Sequence, residues 1–186
     1  VGRIGMLDDA RETLAVALRV NGHSGNTTAP AEIEAARQVL LKQRRSVANY
    51  DSPQLNSQRV LAGELAAAMT YTHNAVAARR QKSSLVYVLP EPVSTVRQDN
   101  MVVPRGAPSQ YTAEVFVNFM LRADVAARNT ADIGAATPNE KIMRDKLLDP
   151  AVFNDASIYP PLAQAGRRFE WLIDLPPGAT AQFQQV

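Results

Sequence analysis

The chain has 186 residues, 46% of them hydrophobic and 20% charged, a composition typical of a globular protein with one good-sized core or a small two-lobed body. Its 20 basic and 18 acidic residues leave a net charge of +2, and this near balance argues against nucleic-acid binding, which needs a concentrated basic face. There are no cysteines, which excludes disulfides, thiolate catalysis and cysteine-ligated metals, and no apolar run approaches the roughly 18–20 residues of a membrane span.

The first half of the chain alternates between strand-like and helix-like apolar patterns. A strand at 4–7 is followed by a helix that opens around Asp9, carries Leu14 and Leu18 inward and is stopped by Gly22. The further elements predicted in this half are a helix that begins at 28–32, a strand at 46–50, a helix at 54–61, a strand at 65–71 and a helix at 74–81. Because the chain opens in a strand pattern and carries no signal peptide, we expect a fragment or a processed chain.

The second half contains two apolar runs, at 85–89 and 101–103, which predict strands buried on both faces. An amphipathic helix is predicted at 109–121. Its inward face is expected to consist of Val115, Phe116, Phe119 and Met120. Further helices are predicted from 124, from 137 and at 163–172. Strands that alternate with helices indicate the α/β class.

Asp9 and Glu12 are the first candidate binding residues. Three positions apart at a helix start, they lie on one face, where two carboxylates would accept an ammonium or guanidinium group. The same spacing is a capping-box pattern, which stabilises a helix by about 1 kcal/mol. From spacing alone, capping is the favoured interpretation.

Tyr71 and Asp99 form a second candidate pair. Tyr71 lies where a predicted strand ends, and Asp99 lies in the loop just before the strand predicted at 101–103; strand ends are where open α/β sheets bind ligands. An aromatic face and a carboxylate suit an alkylammonium group, although each residue alone is more often ordinary surface or core. The sequence contains no P-loop, nucleophile elbow or dinucleotide motif, and His23 and His73 lack metal-ligand spacing. We therefore expect that the protein binds no metal and no cofactor and is not an enzyme. The competing interpretation is a small α/β enzyme that uses the acid pair for general acid–base catalysis.

Short strings along the chain keep the order and approximate spacing found in the periplasmic spermidine/putrescine-binding proteins, and the chain resembles the C-terminal portion of that family of ABC-importer solute-binding proteins. The matching strings lie at 6–12, 17–18, 22–28, 63–71, 88–91, 99–104, 116–121, 133–134, 137–139, 158–160 and 170–171. No single motif is specific, but together they span the chain from end to end.

The resemblance implies a type II periplasmic-binding-protein fold, in which two α/β lobes with mixed sheets flanked by helices close on a ligand about a hinge. Ligand favours closure only by its extra affinity for the closed state. By this pattern 1–96 and 140–186 belong to the second lobe, and 97–139 returns to the first lobe. Most of the first lobe would precede Val1.

The resemblance also implies a ligand site. Asp9, Glu12 and Asp99 match carboxylates that grip ligand amino groups, and Tyr71 stands where relatives have tryptophan. Arg97 departs from the pattern, because it too replaces a tryptophan; it would repel an ammonium group, or pair with Asp99 and weaken its effect. Two further departures are Ala135 for a tyrosine and Leu172 for a glutamine.

The expected function is therefore that of a periplasmic solute-binding component that delivers a polyamine or related cationic amine to an ABC permease in the inner membrane, without nucleic acid as a partner. Two alternatives stay open. The ligand is an amino-acid-like or opine-like zwitterion, a possibility that Arg97 raises, or the chain is a truncated lobe that self-associates as a dimer without binding ligand.

Overall fold

The computed structural model describes residues 2–91, 93–160, 168–176, 178 and 183. The chain divides into two units: unit 1 comprises Val1–Arg97 and Gln164–Val186, and unit 2 comprises Gln98–Ala163. The sequence-based division instead grouped 140–186 with 1–96 and assigned 97–139 to the other lobe. That assignment to lobes stays a prediction.

Unit 1 contains two parallel sheets. In the first, β1 (Ile4–Leu7) lies between β2 (Val47–Asp51) and β3 (Ala67–Ala68). In the second, β4 (Val93–Val96) pairs with β5 (Arg168–Trp171). The helices of this unit are α1 (Ala10–Val20), α2 (Pro30–Gln43), α3 (Pro53–Leu61) and α4 (Thr72–Gln81), with one 3-10 turn at Arg44–Ser46. The α/β class is confirmed, with parallel pairing of the described strands where a mixed sheet was expected.

Helix α1 packs on α2 to form the core of unit 1. Its predicted inward residues are fully buried, and Gly22 adopts φ +81° just beyond its end, a conformation that favours glycine and allows His23 N–H to donate to the Leu18 carbonyl at 3.0 Å. The buried residues of this cluster are Leu14, Ala17, Leu18, Ile33, Ala36 and Phe183. This packing fixes the first turn of α1 at the edge of the sheet.

Asn56, which is fully buried on α3, joins the strands of the first sheet. Its Nδ2 donates to the carbonyl of Met6 on β1 at 2.9 Å and to that of Met69, just after β3, at 3.1 Å. Its Oδ1 accepts from Asn49 Nδ2 on β2 at 2.8 Å. The close approach requires glycine at position 5, because a Cβ atom there would lie 2.6 Å from Asn56 Oδ1.

Unit 2 is helical in its described residues. Its helices are α5 (Gln110–Met120), α6 (Ala123–Ile133), α7 (Glu140–Arg144) and α8 (Pro150–Phe153). The core of this unit is small and consists of Ala126, Ala127 and Ile142, with Ala123 and Leu148 packed against it. Among the residues described in either unit, no helix combines the length and apolarity that crossing a membrane requires.

The two strands predicted from apolar runs in the second half are wrong. Residues 85–89 and 101–103 belong to no strand, and Val86, Val88 and Val102 are 83%, 70% and 80% exposed. A continuous apolar run predicts a buried strand only if the segment pairs into a sheet whose two faces are covered, and among the described residues neither segment pairs with a strand. The strand predicted at 65–71 is reduced to the two residues of β3.

The inward face predicted for α5 is also wrong, although the helix itself is confirmed. Val115, Phe116 and Phe119 are 49%, 57% and 46% exposed, because amphipathic periodicity identifies an apolar face but not what covers it. In the helix predicted at 163–172, residues 163–167 lie outside the described residues, and 168–171 form strand β5. Strand β4 was not predicted.

Replacing Gly5 with alanine should destabilise the protein by about 1–3 kcal/mol, the usual cost of overpacking a filled core, because the new methyl group would collide with Asn56 and Leu65. Urea unfolding of the complete protein, followed by circular dichroism, measures the change. Gly106→Ala is the matched control, since a Cβ atom there meets nothing within 4 Å. Equal stability of the two variants would contradict the packing argument.

Candidate functional site

The first turn of α1 carries both candidate carboxylates. Asp9 is the N-cap residue, and its Oδ1 accepts a hydrogen bond from the Glu12 backbone N–H at 3.0 Å. This bond is one half of the capping box predicted from the sequence. The Glu12 side chain does not complete the other half: its buried Oε1 has no hydrogen-bond donor among the described residues.

The Glu12 carboxylate instead faces Arg97, the residue that follows β4. Arg97 Nε lies 2.5 Å from Glu12 Oε1, and Nη2 lies 3.6 Å from Asp9 Oδ2. The first contact lacks the angles of a hydrogen bond and is a contact of charges. The guanidinium carbon also lies 5.9 Å from the centre of the Tyr71 ring, within cation–π range. We call Asp9, Glu12, Tyr71 and Arg97 the amine cluster.

Burial gives Glu12 unusual electrostatics. Its side chain is 2% exposed, and this burial raises the pKa of the carboxyl group above its ordinary value. The positive charge of Arg97 opposes that rise, Asp9 adds to it, and Arg19 and Arg11 oppose it. The Arg97 guanidinium therefore favours the ionised form of the buried Glu12 carboxyl group.

Glu170 on β5 is a structural residue that reasoning from residue types did not identify; only the family strings included it. Its Oε2 accepts from Arg19 Nε at 2.9 Å and from Gly25 N–H at 3.0 Å, and its Oε1 accepts from the Ser24 hydroxyl. Arg19 also donates to the Thr95 hydroxyl on β4. The signal was present in the sequence as an acidic residue within an apolar tail, but its partners are more than 140 positions away.

These bonds position the amine cluster. Glu170 ties β5 to the end of α1 and to the loop that follows it, while β5 pairs with β4, with Thr95 opposite Glu170 and Val96 opposite Trp171. Arg97 is the next residue of the β4 segment. Its guanidinium therefore reaches the first turn of α1 because Glu170 and Arg19 hold the second sheet against that helix.

The structure brings four of the five predicted site residues together in unit 1, whereas the fifth, Asp99, belongs to unit 2. Tyr71 is the N-cap residue of α4 and is half-buried. Asp99 belongs to unit 2, is exposed, and lies in a segment without helix or strand. The ion pairs that the structure describes for Arg97 are with Asp9 and Glu12. The expectation that Arg97 would repel an ammonium group or pair with Asp99 stays a prediction.

A separate cavity of about 300 Å³ opens beside α1, α2 and β2. Asp9 borders it, but Glu12, Tyr71 and Arg97 do not. Its other polar or charged lining residues are Asp8, Thr13, Arg37, Arg44 and Tyr50. Across the described ranges, no three His, Asp or Glu side chains are grouped closely enough to hold a metal ion.

Comparison with known proteins agrees with this architecture. The family model for bacterial extracellular solute-binding proteins matches residues 1–182. A solved structure described as a spermidine/putrescine ABC transporter from Listeria monocytogenes superimposes with a TM-score of 0.87 at 28% identity, covering 98% of this chain and 55% of that one. The fold is thus that of a type II periplasmic binding protein, as the sequence resemblance implied.

Curated proteins of similar sequence are also solute-binding proteins. The spermidine/putrescine-binding periplasmic protein of Salmonella typhimurium is 39% identical over 172 residues, which are 91% of this chain and 48% of the relative. Its Escherichia coli counterpart is 37% identical over 176 residues, 94% of this chain and 49% of the relative. The chain belongs to the family of bacterial extracellular solute-binding proteins, and it spans about half the length of these relatives.

Removal of the Glu170 carboxylate should destabilise unit 1. Glu170→Ala leaves Arg19, whose side chain is 7% exposed, without its carboxylate partner, and loss of one partner of a buried ion pair costs about 3 kcal/mol or more. Urea unfolding of the complete protein measures the effect. Glu34→Ala, which removes an exposed pair with Arg37 on α2, is the control and should leave stability unchanged. Similar losses in both variants would contradict the proposed role of Glu170.

Proposed function

We propose that this chain is part of the solute-binding component of an ABC importer and binds a polyamine or a related cationic amine. The observation that carries the proposal is the state of Glu12: a buried carboxylate, with Asp9 and an aromatic ring beside it, that already holds a cationic group in the form of Arg97. Carboxylates and an aromatic face are the partners that an alkylammonium group requires.

Energetics favour a cationic ligand over a neutral one at this site. Arg97 contacts the buried Glu12 carboxylate without a hydrogen bond to Oε1, so a ligand ammonium group can add a charge-assisted hydrogen bond, which is stronger than a hydrogen bond between neutral groups. The names of the matched relatives, which bind spermidine and putrescine, support an amine as the ligand. We include Asp99 as a further proposed contact on the strength of the sequence resemblance.

The proposed biological setting follows from the family. The protein would work in the periplasm, bind its amine there and present it to a permease in the inner membrane. A binding role, with no catalytic step, is consistent with the solute-binding family to which the chain belongs. The competing proposal of general acid–base catalysis by the acid pair stays a prediction, and the Glu12 carboxylate that it would use is the one that Arg97 contacts.

Self-association, the alternative that the sequence left open, has one observation in its favour. The apolar residues Val115, Phe116 and Phe119 of α5 are about half exposed, and exposed apolar patches mark association surfaces. Self-association without ligand binding stays a prediction and an alternative to amine binding.

Neutralising a proposed ligand carboxylate should weaken amine binding. In the complete protein, Glu12→Gln and Asp99→Asn should each reduce the affinity for the polyamine that binds best by about 1–3 kcal/mol, the range for a hydrogen bond to a charged group. Titration calorimetry with putrescine and spermidine measures this. Glu34→Gln makes the same chemical change on the exposed face of α2 and should have no effect; unchanged affinity in Glu12→Gln would remove Glu12 from the site.

Amine binding should also release protons at mildly acidic pH. Burial raises the pKa of the Glu12 carboxyl group in the free protein, and a bound ammonium group lowers it by favouring the carboxylate. Affinity therefore falls as the pH drops through the raised pKa, and protons are released between the bound and free values.

Calorimetry in buffers of different ionisation enthalpy counts those protons. Glu12→Gln should release fewer protons than the wild type under the same conditions. Equal proton release by the two proteins would show that the Glu12 carboxyl group is not the one that titrates with binding.

A further inference from the structure

Arg97 contacts the other three residues of the amine cluster as a bound amine would. Its guanidinium meets both carboxylates of the α1 first turn and lies over the Tyr71 ring, which are the three partners that a bound ammonium group would use. We propose that Arg97 is a specificity-determining residue, a tethered cation that lies beside the amine position and makes the site prefer a zwitterion carrying one amine and one carboxylate over a simple diamine. This inference rests on the proposed amine-binding function.

The charge balance around Glu12 supports a zwitterion. The charged groups that act on Glu12 or on neighbouring Arg11 comprise three carboxylates and three guanidinium groups. They are Asp9, Glu12 and Glu170 on one side and Arg11, Arg19 and Arg97 on the other. A diamine would bring two positive charges into a neighbourhood that is already neutral, whereas a zwitterion would bring none.

The exposure of Arg97 shows how a ligand carboxylate can be held. The side chain is 45% exposed, although Nε and Nη2 face the two protein carboxylates. A guanidinium group carries five N–H donors in a planar fork, and Nη1 has no ion pair among the described residues. A ligand carboxylate can therefore bind Arg97 from the solvent side, while the ligand amine approaches Asp9 and Glu12.

Two ligands of matched length test the proposal. Putrescine carries an ammonium group at each end of four carbons, and 4-aminobutanoate replaces one of those ends with a carboxylate. Titration calorimetry on the complete protein should show tighter binding of 4-aminobutanoate by the wild type. In Arg97→Gln the ratio of the two affinities should shift toward putrescine by tenfold or more. Arg97→Lys, which retains the charge, should keep the wild-type preference in weakened form.

Arg45→Gln is the control, since it removes the same charge from an exposed position in the 3-10 turn of unit 1 and should leave the ratio unchanged. A wild-type preference for putrescine, or a ratio that Arg97→Gln does not move, would overturn the role of Arg97 while leaving amine binding intact. Failure of the wild type and of every variant to bind putrescine, spermidine or 4-aminobutanoate would instead overturn the proposed function itself. The wild-type ratio alone keeps the test decisive if Arg97→Gln does not fold.

Discussion

The burial of one carboxylate, that of Glu12, is the constraint on which the arrangement of unit 1 depends. A charge taken out of water requires a countercharge or a proton, and the fold supplies the countercharge from Arg97, a residue remote in sequence. Because the contact is an approach of charges without hydrogen-bond geometry, the carboxylate keeps capacity to accept a donor. The fold thus contains an acceptor whose desolvation is already complete before any ligand arrives.

The second sheet places Arg97 beside Glu12, because Arg97 directly follows β4. Two strands paired in isolation are marginally stable, and β4 and β5 are held by polar contacts of Glu170 with α1 and with the loop at Ser24 and Gly25. The loop backbone comes so close that a Cβ atom at Gly25 would lie 2.9 Å from Arg19 Nη2 and 3.1 Å from Glu170 Oε2. The ion pair of Glu170 with Arg19 and that of Glu12 with Arg97 are therefore linked through one short strand pair.

The sequence predicted those parts of the fold in which local pattern and tertiary packing agree. The stripe of Leu14 and Leu18 identified α1 because the same residues pack against α2. Prediction from the sequence failed where burial depends on a second element that packs on the segment. The runs that contain Val86 and Val102 resemble buried strands, but they pair with no strand among the described residues, and both side chains are exposed. Strand β4 was missed because its ladder partner, β5, lies more than 70 positions later, beyond the reach of any local signal.

The sequence could predict which residues belong to the candidate site, but it could not predict how their side chains are arranged. Residue types and family strings selected Asp9, Glu12, Tyr71 and Arg97, yet only the folded chain shows that Arg97 turns toward the α1 carboxylates. Chemical type alone made Asp99, two residues from Arg97, an equally reasonable partner. Side-chain direction after a strand depends on the register of that strand, and the register of β4 is set by β5.

Capping and ligand binding, which the sequence presented as competing roles for Asp9 and Glu12, are compatible because a carboxylate has two oxygens. Asp9 Oδ1 accepts the Glu12 backbone N–H and fixes the start of the helix, while Oδ2 faces the Arg97 guanidinium. Glu12 gives up its half of the capping box, so the helix forgoes part of about 1 kcal/mol of stabilisation. In exchange, the Glu12 carboxylate is a buried hydrogen-bond acceptor, and the hydrogen bond from its backbone N–H to Asp9 fixes its backbone. The first turn of a capped helix is rigid, so this carboxylate faces a cation in a fixed orientation.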